Sequence, residues 1–140
     1  MYTKNAEIFR TYLLANGFEF DFEERDSGST VFNLNQKLDN GVNIRVFGSF
    51  NKDNTMVSLY GLDFIPSIPP DKKSKICEVL NDLNDKYTFF KYVLSDNQIE
   101  VQVFNSFDNN FKSEIVMDLL IAIMRNVEEE YPNLMRAIWA

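Results

Sequence analysis

VLNDLNDKYTFFKYVL, Val79 to Leu94, is the stretch on which the fold turns. Its first half continues a helical stripe, its middle is a turn, and its last half crowds Phe89, Phe90, Tyr92, Val93 and Leu94 into the most two-sidedly apolar strand of the chain. Such a sequence predicts a hub onto which an N-terminal antiparallel sheet and a C-terminal helix both pack. In the strand expected over Thr88 to Leu94, Phe89 and Val93 fall on one face and Phe90, Tyr92 and Leu94 on the other, with Lys91 interrupting the first. Asn84 follows Leu80 by one turn and borders the apolar stripe of its helix, so it is expected to fasten the helix end to the backbone of this strand.

Upstream of the hub, Asp71 suits a helix N-terminus, and Ile76, Leu80 and Leu83, with Val79 beside them, form a stripe from there to about Asp85. Pro66, Pro69 and Pro70 make a stiff connector before it, since proline cannot donate to a ladder. Met56 to Ile65 is apolar at both parities and is expected to be a strand covered on both sides. Before it come a polar turn at Asn51 to Asn54, a strand Val42 to Phe50 with Val42, Ile44 and Val46 inward, and Asp39-Asn40-Gly41, a strong hairpin signal. Thr30 to Leu38 is a further strand. Phe18, Phe20 and Phe22 alternate with Glu19, Asp21 and Glu23, the pattern of an edge strand whose acidic face discourages unwanted pairing. A first helix, about Lys4 to Asn16, is capped by Thr3 and closed by Gly17.

Downstream, Ser95-Asp96-Asn97 turns the chain into Ile99 to Phe107, with Ile99, Val101 and Val103 inward. Ser113, Asn109 or Asn110 caps a last long helix whose segment Ile115 to Met124 is apolar nearly all the way round, as in a buried or interfacial helix. Glu128-Glu129-Glu130 is expected to be its solvated end, just before Tyr131 and Pro132. A short final helix then carries Leu134, Met135, Ile138 and Trp139, with Trp139 packed back on the core. The fold expected is one α+β domain, an antiparallel sheet of about six strands with helices packed on it, in the order α-β-β-β-β-α-β-β-α.

Composition bounds function. At 140 residues and 45% hydrophobic, the chain has enough apolar side chain for a core without staples. The lone Cys77 forms no internal disulfide and is expected to be inert and partly buried. No segment reads as an export leader, so a cytoplasmic setting is expected. No apolar run reaches the roughly 18 residues that span a bilayer. A net charge of −7 opposes nucleic-acid binding, which rests on Lys and Arg displacing counterions. The absence of histidine removes the commonest general base and metal ligand near neutral pH. No Gly-rich phosphate loop, zinc cluster or complete calcium loop is spelled, and nothing singles out a catalytic pair among the many carboxylates. No catalytic residue, metal, cofactor, small-molecule substrate, nucleic acid or membrane is therefore expected.

In its order of elements the chain resembles the YbjN family of bacterial proteins, described as sensory transduction regulators, whose fold is similar to that of type III secretion chaperones. The features that carry the resemblance span nearly the whole chain. They are the first helix closed by Gly17, the proline-ended fourth strand, Val79-Leu80-Asn81-Asp82-Leu83-Asn84, the hairpin from Phe89 to Phe104, and Val127 to Leu134 with its Tyr131-Pro132. The resemblance implies a small cytoplasmic binding module, commonly dimeric, and offers no catalytic motif.

The excess apolar surface points the same way, because large exposed apolar patches mark partner surfaces. The residues expected to form a protein-interaction surface are Tyr60, Phe90, Tyr92, Leu94, Ile121, Met124 and Trp139. The expectation is a non-enzymatic protein-binding module, chaperone-like or regulatory, acting as a homodimer or on a protein client. The alternative is a small acidic immunity-type inhibitor that blocks a basic toxin or nuclease.

Overall fold

In the computed structural model, which describes Met1 to Ala140, the Thr3 hydroxyl accepts from the Ala6 amide at 3.3 Å and opens helix α1, Lys4–Ala15. Gly17, at φ 80°, closes it, with the Phe18 amide reaching back to the Leu13 carbonyl at 2.8 Å. The chain then enters β1 (Asp21–Glu24), β2 (Thr30–Lys37), β3 (Asn43–Phe50) and β4 (Met56–Leu62). After a short 3-10 turn come α2 (Lys73–Lys86), β5 (Lys91–Ser95), β6 (Gln98–Ser106) and α3 (Ser113–Trp139). The expected α+β order is the order observed.

All six strands form one antiparallel sheet in the order β1-β2-β3-β4-β6-β5. Sequential hairpins build β1 to β4, and α2 then carries the chain past β6's place to the far edge. Gly41 turns the β2–β3 hairpin at φ 87°, and Asp96 and Asn97, at φ 50° and 64°, make the two-residue turn into β6.

The three helices lie on one face of the sheet. Phe9 of α1 packs on Phe32 and Phe50 at ring distances of 5.5 and 5.8 Å, in a nest completed by Phe20 and Phe22. Val116, Leu120, Ile123 and Val127 make the buried stripe of α3, and Ile76, Leu80 and Leu83 that of α2. They meet Ile44, Val46, Val57, Leu59, Val101 and Val103, all buried and all of one strand parity. Two glycines let this layer close. A Cβ on Gly48 would overlap the Phe32 ring, and one on Gly61 would sit 2.7 Å from Val101 and 3.0 Å from Ile123.

Several expectations need correction. β4 stops at Leu62 because Asp63 adopts φ 60°, which reverses the parity, so Phe64 and Ile65 enter the core from beyond the strand. The strand is thus covered on one face only. β5 starts at Lys91, and Thr88 to Phe90 lie outside it. The last helix does not end before Pro132; α3 continues through it to Trp139, where Leu134, Ala137 and Ile138 are buried and hold the continuation down. Ser113 is the first residue of α3 rather than its cap, and its buried hydroxyl has no partner. Cys77 is exposed on the outer side of α2.

Glu130 departs furthest from expectation. It is 1% exposed, because α3's continuation turns it inward against the end of α2. Lys86 Nζ donates to Glu130 Oε2 at 2.9 Å, the Tyr87 hydroxyl donates to the same oxygen, and Asn133 Nδ2 donates to Oε1 at 2.9 Å. Burial pushes the Glu130 carboxyl up, but these three hydrogen bonds outweigh it and hold the group below its ordinary value. On the other side the hydrogen bond to Glu130 pushes Lys86 up to about 12. Glu129 is exposed and Glu128 half-buried, in keeping with a solvated flank, but Glu130 belongs to the joint between α2 and α3.

Candidate protein-interaction face

Period-two alternation leaves the second face of the sheet to residues of the opposite parity, and no helix packs there. The register places one row of them across all six strands: Asp21 opposite Asn33, Asn33 opposite Phe47, Phe47 opposite Tyr60, Tyr60 opposite Gln102, and Gln102 opposite Lys91. In the next row Val31, Ser49, Ser58 and Phe104 stand side by side. Phe47 and Tyr60 are 5.8 Å apart ring to ring, and Tyr60 meets Phe104 edge-on at 6.0 Å. Phe104 is 50% exposed, and Phe47 and Tyr60 are half-buried. The centre of this open face is therefore an aromatic cluster in contact with water.

The charges around it balance. The strand residues that point to the open face include three acids, Asp21, Glu23 and Glu100, and three bases, Lys37, Arg45 and Lys91. Arg45 is already engaged, donating to Asp63 and to Asn33 at 2.9 Å each. The open face is near neutral in a chain of net charge −7.

Each free edge of the sheet is obstructed at one residue whose backbone groups face outward. At the β5 edge the Tyr92 amide donates to Asn84 Oδ1 at 2.6 Å, and Asn84 Nδ2 donates to the Tyr92 carbonyl at 2.9 Å. At the β1 edge the Tyr2 hydroxyl donates to the Phe22 carbonyl at 3.2 Å. Strand addition at either edge would have to displace these bonds.

The seven residues singled out from the sequence do not form one surface. Tyr60 lies on the open face. Tyr92 is 1% exposed; its side chain points under the helices, where its hydroxyl donates to the buried Asn126 Oδ1, so it is no surface residue. Leu94 shares that inward parity and is half-buried. Phe90 packs edge-on against Tyr87 and lines a groove of about 480 Å3 with Asp118, Ile121, Ala122 and Arg125. Met124, half-buried, lines the neighbouring hollow toward Lys37 and Leu38. Trp139 is 74% exposed at the end of α3 and does not pack back on the core, since the inward positions of that turn are taken by Ala137 and Ile138.

Sequence reasoning passed over Phe47 and Phe104. Their signal was present: each has the parity opposite to the inward valines of its own strand, Val46 and Val103.

No group of three or more His, Cys, Asp or Glu side chains is gathered closely enough to hold a metal ion, and no helix is long and apolar enough to cross a membrane. No protein-family model matches the chain, and no curated protein matches it either.

Proposed function

We propose that the chain is a non-enzymatic protein-binding module, chaperone-like or regulatory in the manner of the YbjN-type proteins it resembles, and that the open sheet face is its binding surface. The observation that carries this reading is the solvent-facing cluster of Phe47, Tyr60 and Phe104 at the centre of a sheet face that no helix covers. Aromatic groups at the centre of a polar rim are what a binding patch uses for most of its energy. The partner is a second copy or a protein client.

A photo-crosslinking side chain at position 104, compared with one at Glu78 on the exposed outer side of α2, tests the reading in the cell. Adducts formed from position 104 and suppressed by Tyr60→Glu are expected. Adducts from position 78 alone would overturn it.

A second reading, an acidic inhibitor of a basic protein, draws on the exposed carboxylates Glu78, Asp82 and Asp85 of α2. It makes the opposite forecast for position 78, and its affinity should collapse with salt because exposed charges are screened within about 8 Å at physiological ionic strength.

A further inference from the structure

We infer that the occupant of the open face is a second copy of this chain, laid face to face across a two-fold axis that runs along the strands between β3 and β4. The inference rests on the reading of that face as a binding surface and adds the partner and its geometry.

The row across the six strands reads Asp21, Asn33, Phe47, Tyr60, Gln102, Lys91. A two-fold axis parallel to the strands, between the third and fourth positions, inverts this order in the facing copy. Asp21 then stands opposite Lys91, Asn33 opposite Gln102, and Phe47 opposite Tyr60. Acid meets base, amide meets amide and ring meets ring, each of them twice. In the neighbouring row the same operation sets Ser49 opposite Ser58 and the exposed Phe104 over the site of Val31, which is already buried in the single chain. An axis perpendicular to the strands would instead put Asp21 near Asp21 and Lys91 near Lys91, which like-charge repulsion disfavours. An isologous contact needs self-complementarity, and this row has it in one orientation only.

Three further observations favour a second copy over other surfaces of the chain. Two molecules of charge −7 repel, and this face carries equal numbers of acids and bases. Blocked edges at Tyr92 and Phe22 disfavour the alternative of strand-to-strand pairing. The row spans ~24 Å at the usual strand spacing, and strands of this length give a face on the order of 500 Å2 in plane. That is below the ~800 Å2 per partner of a standard interface and within the range of weaker, reversible ones, so a dimer that forms at micromolar concentration is expected.

Charge reversal at the two exposed ends of the row tests the geometry without touching the core. Light scattering on the purified full chain at tens of micromolar is expected to give the mass of two chains. Asp21→Lys sets Lys against Lys, and Lys91→Asp sets Asp against Asp, so each variant alone should dissociate about tenfold more readily. An equimolar mixture of the two variants, or one chain carrying both changes, should recover the wild-type affinity, since every pair is then opposite in sign. A dimer indifferent to all of these changes overturns the inference, as does a monomer at high micromolar concentration. If the purified chain is monomeric while position 104 still forms adducts with another protein in the cell, the binding reading stands and the second copy does not. If it is monomeric and position 104 forms none, both fall.

Discussion

Asn84 and Tyr92 are joined by a closed pair of hydrogen bonds, side-chain amide to backbone, in which Asn84 imitates the next strand of the sheet. Tyr92 stands opposite Val101 with its own amide and carbonyl turned outward, and Asn84 occupies both. One residue of α2 thus fixes the helix end to β5 and closes the middle of an exposed edge. Asn84→Ala should cost about 1–2 kcal/mol in urea unfolding and should raise the tendency to aggregate, because the freed edge offers an unpaired donor and acceptor. Unchanged stability would show that water replaces the amide at no cost.

Glu130 makes the acid limb of stability a test of the joint between α2 and α3. Its carboxyl is held below its ordinary value, 4.5, by Tyr87, Asn133 and Lys86 against the opposing effect of burial. A group depressed in the folded state contributes stability that is fully present above its unfolded value and lost as pH falls through the folded one. Glu130→Gln should therefore be less stable than wild type at pH 7, by about 1.5–3 kcal/mol for charge-assisted bonds. The two stability curves should converge as pH falls below 4.5. Parallel curves through the acid range would remove the carboxylate from this role.

Much of this architecture was legible in local pattern, and the failures share a cause. Alternation in Ile44-Arg45-Val46 and in Val101-Gln102-Val103 states which side chains face the helices, and Asn40-Gly41 states where the chain reverses. Asp63, Glu130 and Trp139 are misread by the same local rules. A positive φ at Asp63 resets the parity of Phe64 and Ile65, and tertiary packing carries α3 through Pro132, which turns Glu130 inward and leaves Trp139 outside. Of the open face, Tyr60 was legible from its strand. The row from Asp21 to Lys91 was not, because it depends on five strand registers and on α2 delivering β5 to the far edge.

The Tyr92 hydroxyl and the Asn126 side chain form a buried polar pair between β5 and α3. Tyr92→Phe leaves Asn126 Oδ1 without its donor in a site that water does not reach freely, and should cost about 1–3 kcal/mol. Replacing both partners, Tyr92→Phe with Asn126→Leu, should recover part of that loss. Removing a matched pair strands no polar atom, whereas removing one member does. A double variant as unstable as the sum of the singles would show that the pair is not coupled.

Gly48 is the floor on which the Phe32 ring rests. Any Cβ there overlaps the ring, and Phe32 has little room to retreat, since Phe9, Phe20, Phe22 and Phe50 surround it at 5.5 to 6.0 Å. Gly48→Ala should destabilise by about 2–3 kcal/mol, at the upper end for overpacking. Combining it with Phe32→Leu should cost less than the two single changes added, because the smaller side chain makes the room that the methyl group needs.

Pro132 gives the least expected forecast, because removing it should help. It lies inside α3, where it supplies no amide for the Glu128 carbonyl and its ring crowds that oxygen. Proline in a helix interior costs about 3 kcal/mol relative to alanine, while its restriction of the unfolded chain returns about 0.4–1 kcal/mol. The helix survives because Leu134, Ala137 and Ile138 bury themselves beyond it. That burial opposes a local defect that alanine would not have. Pro132→Ala should therefore raise stability by about 2 kcal/mol and leave Glu130 paired with Lys86, so the acid limb of the stability curve keeps its wild-type shape. A loss of stability on the same substitution would mean that the proline ring, or a bend that it sets, seats the last turns of α3 on the core.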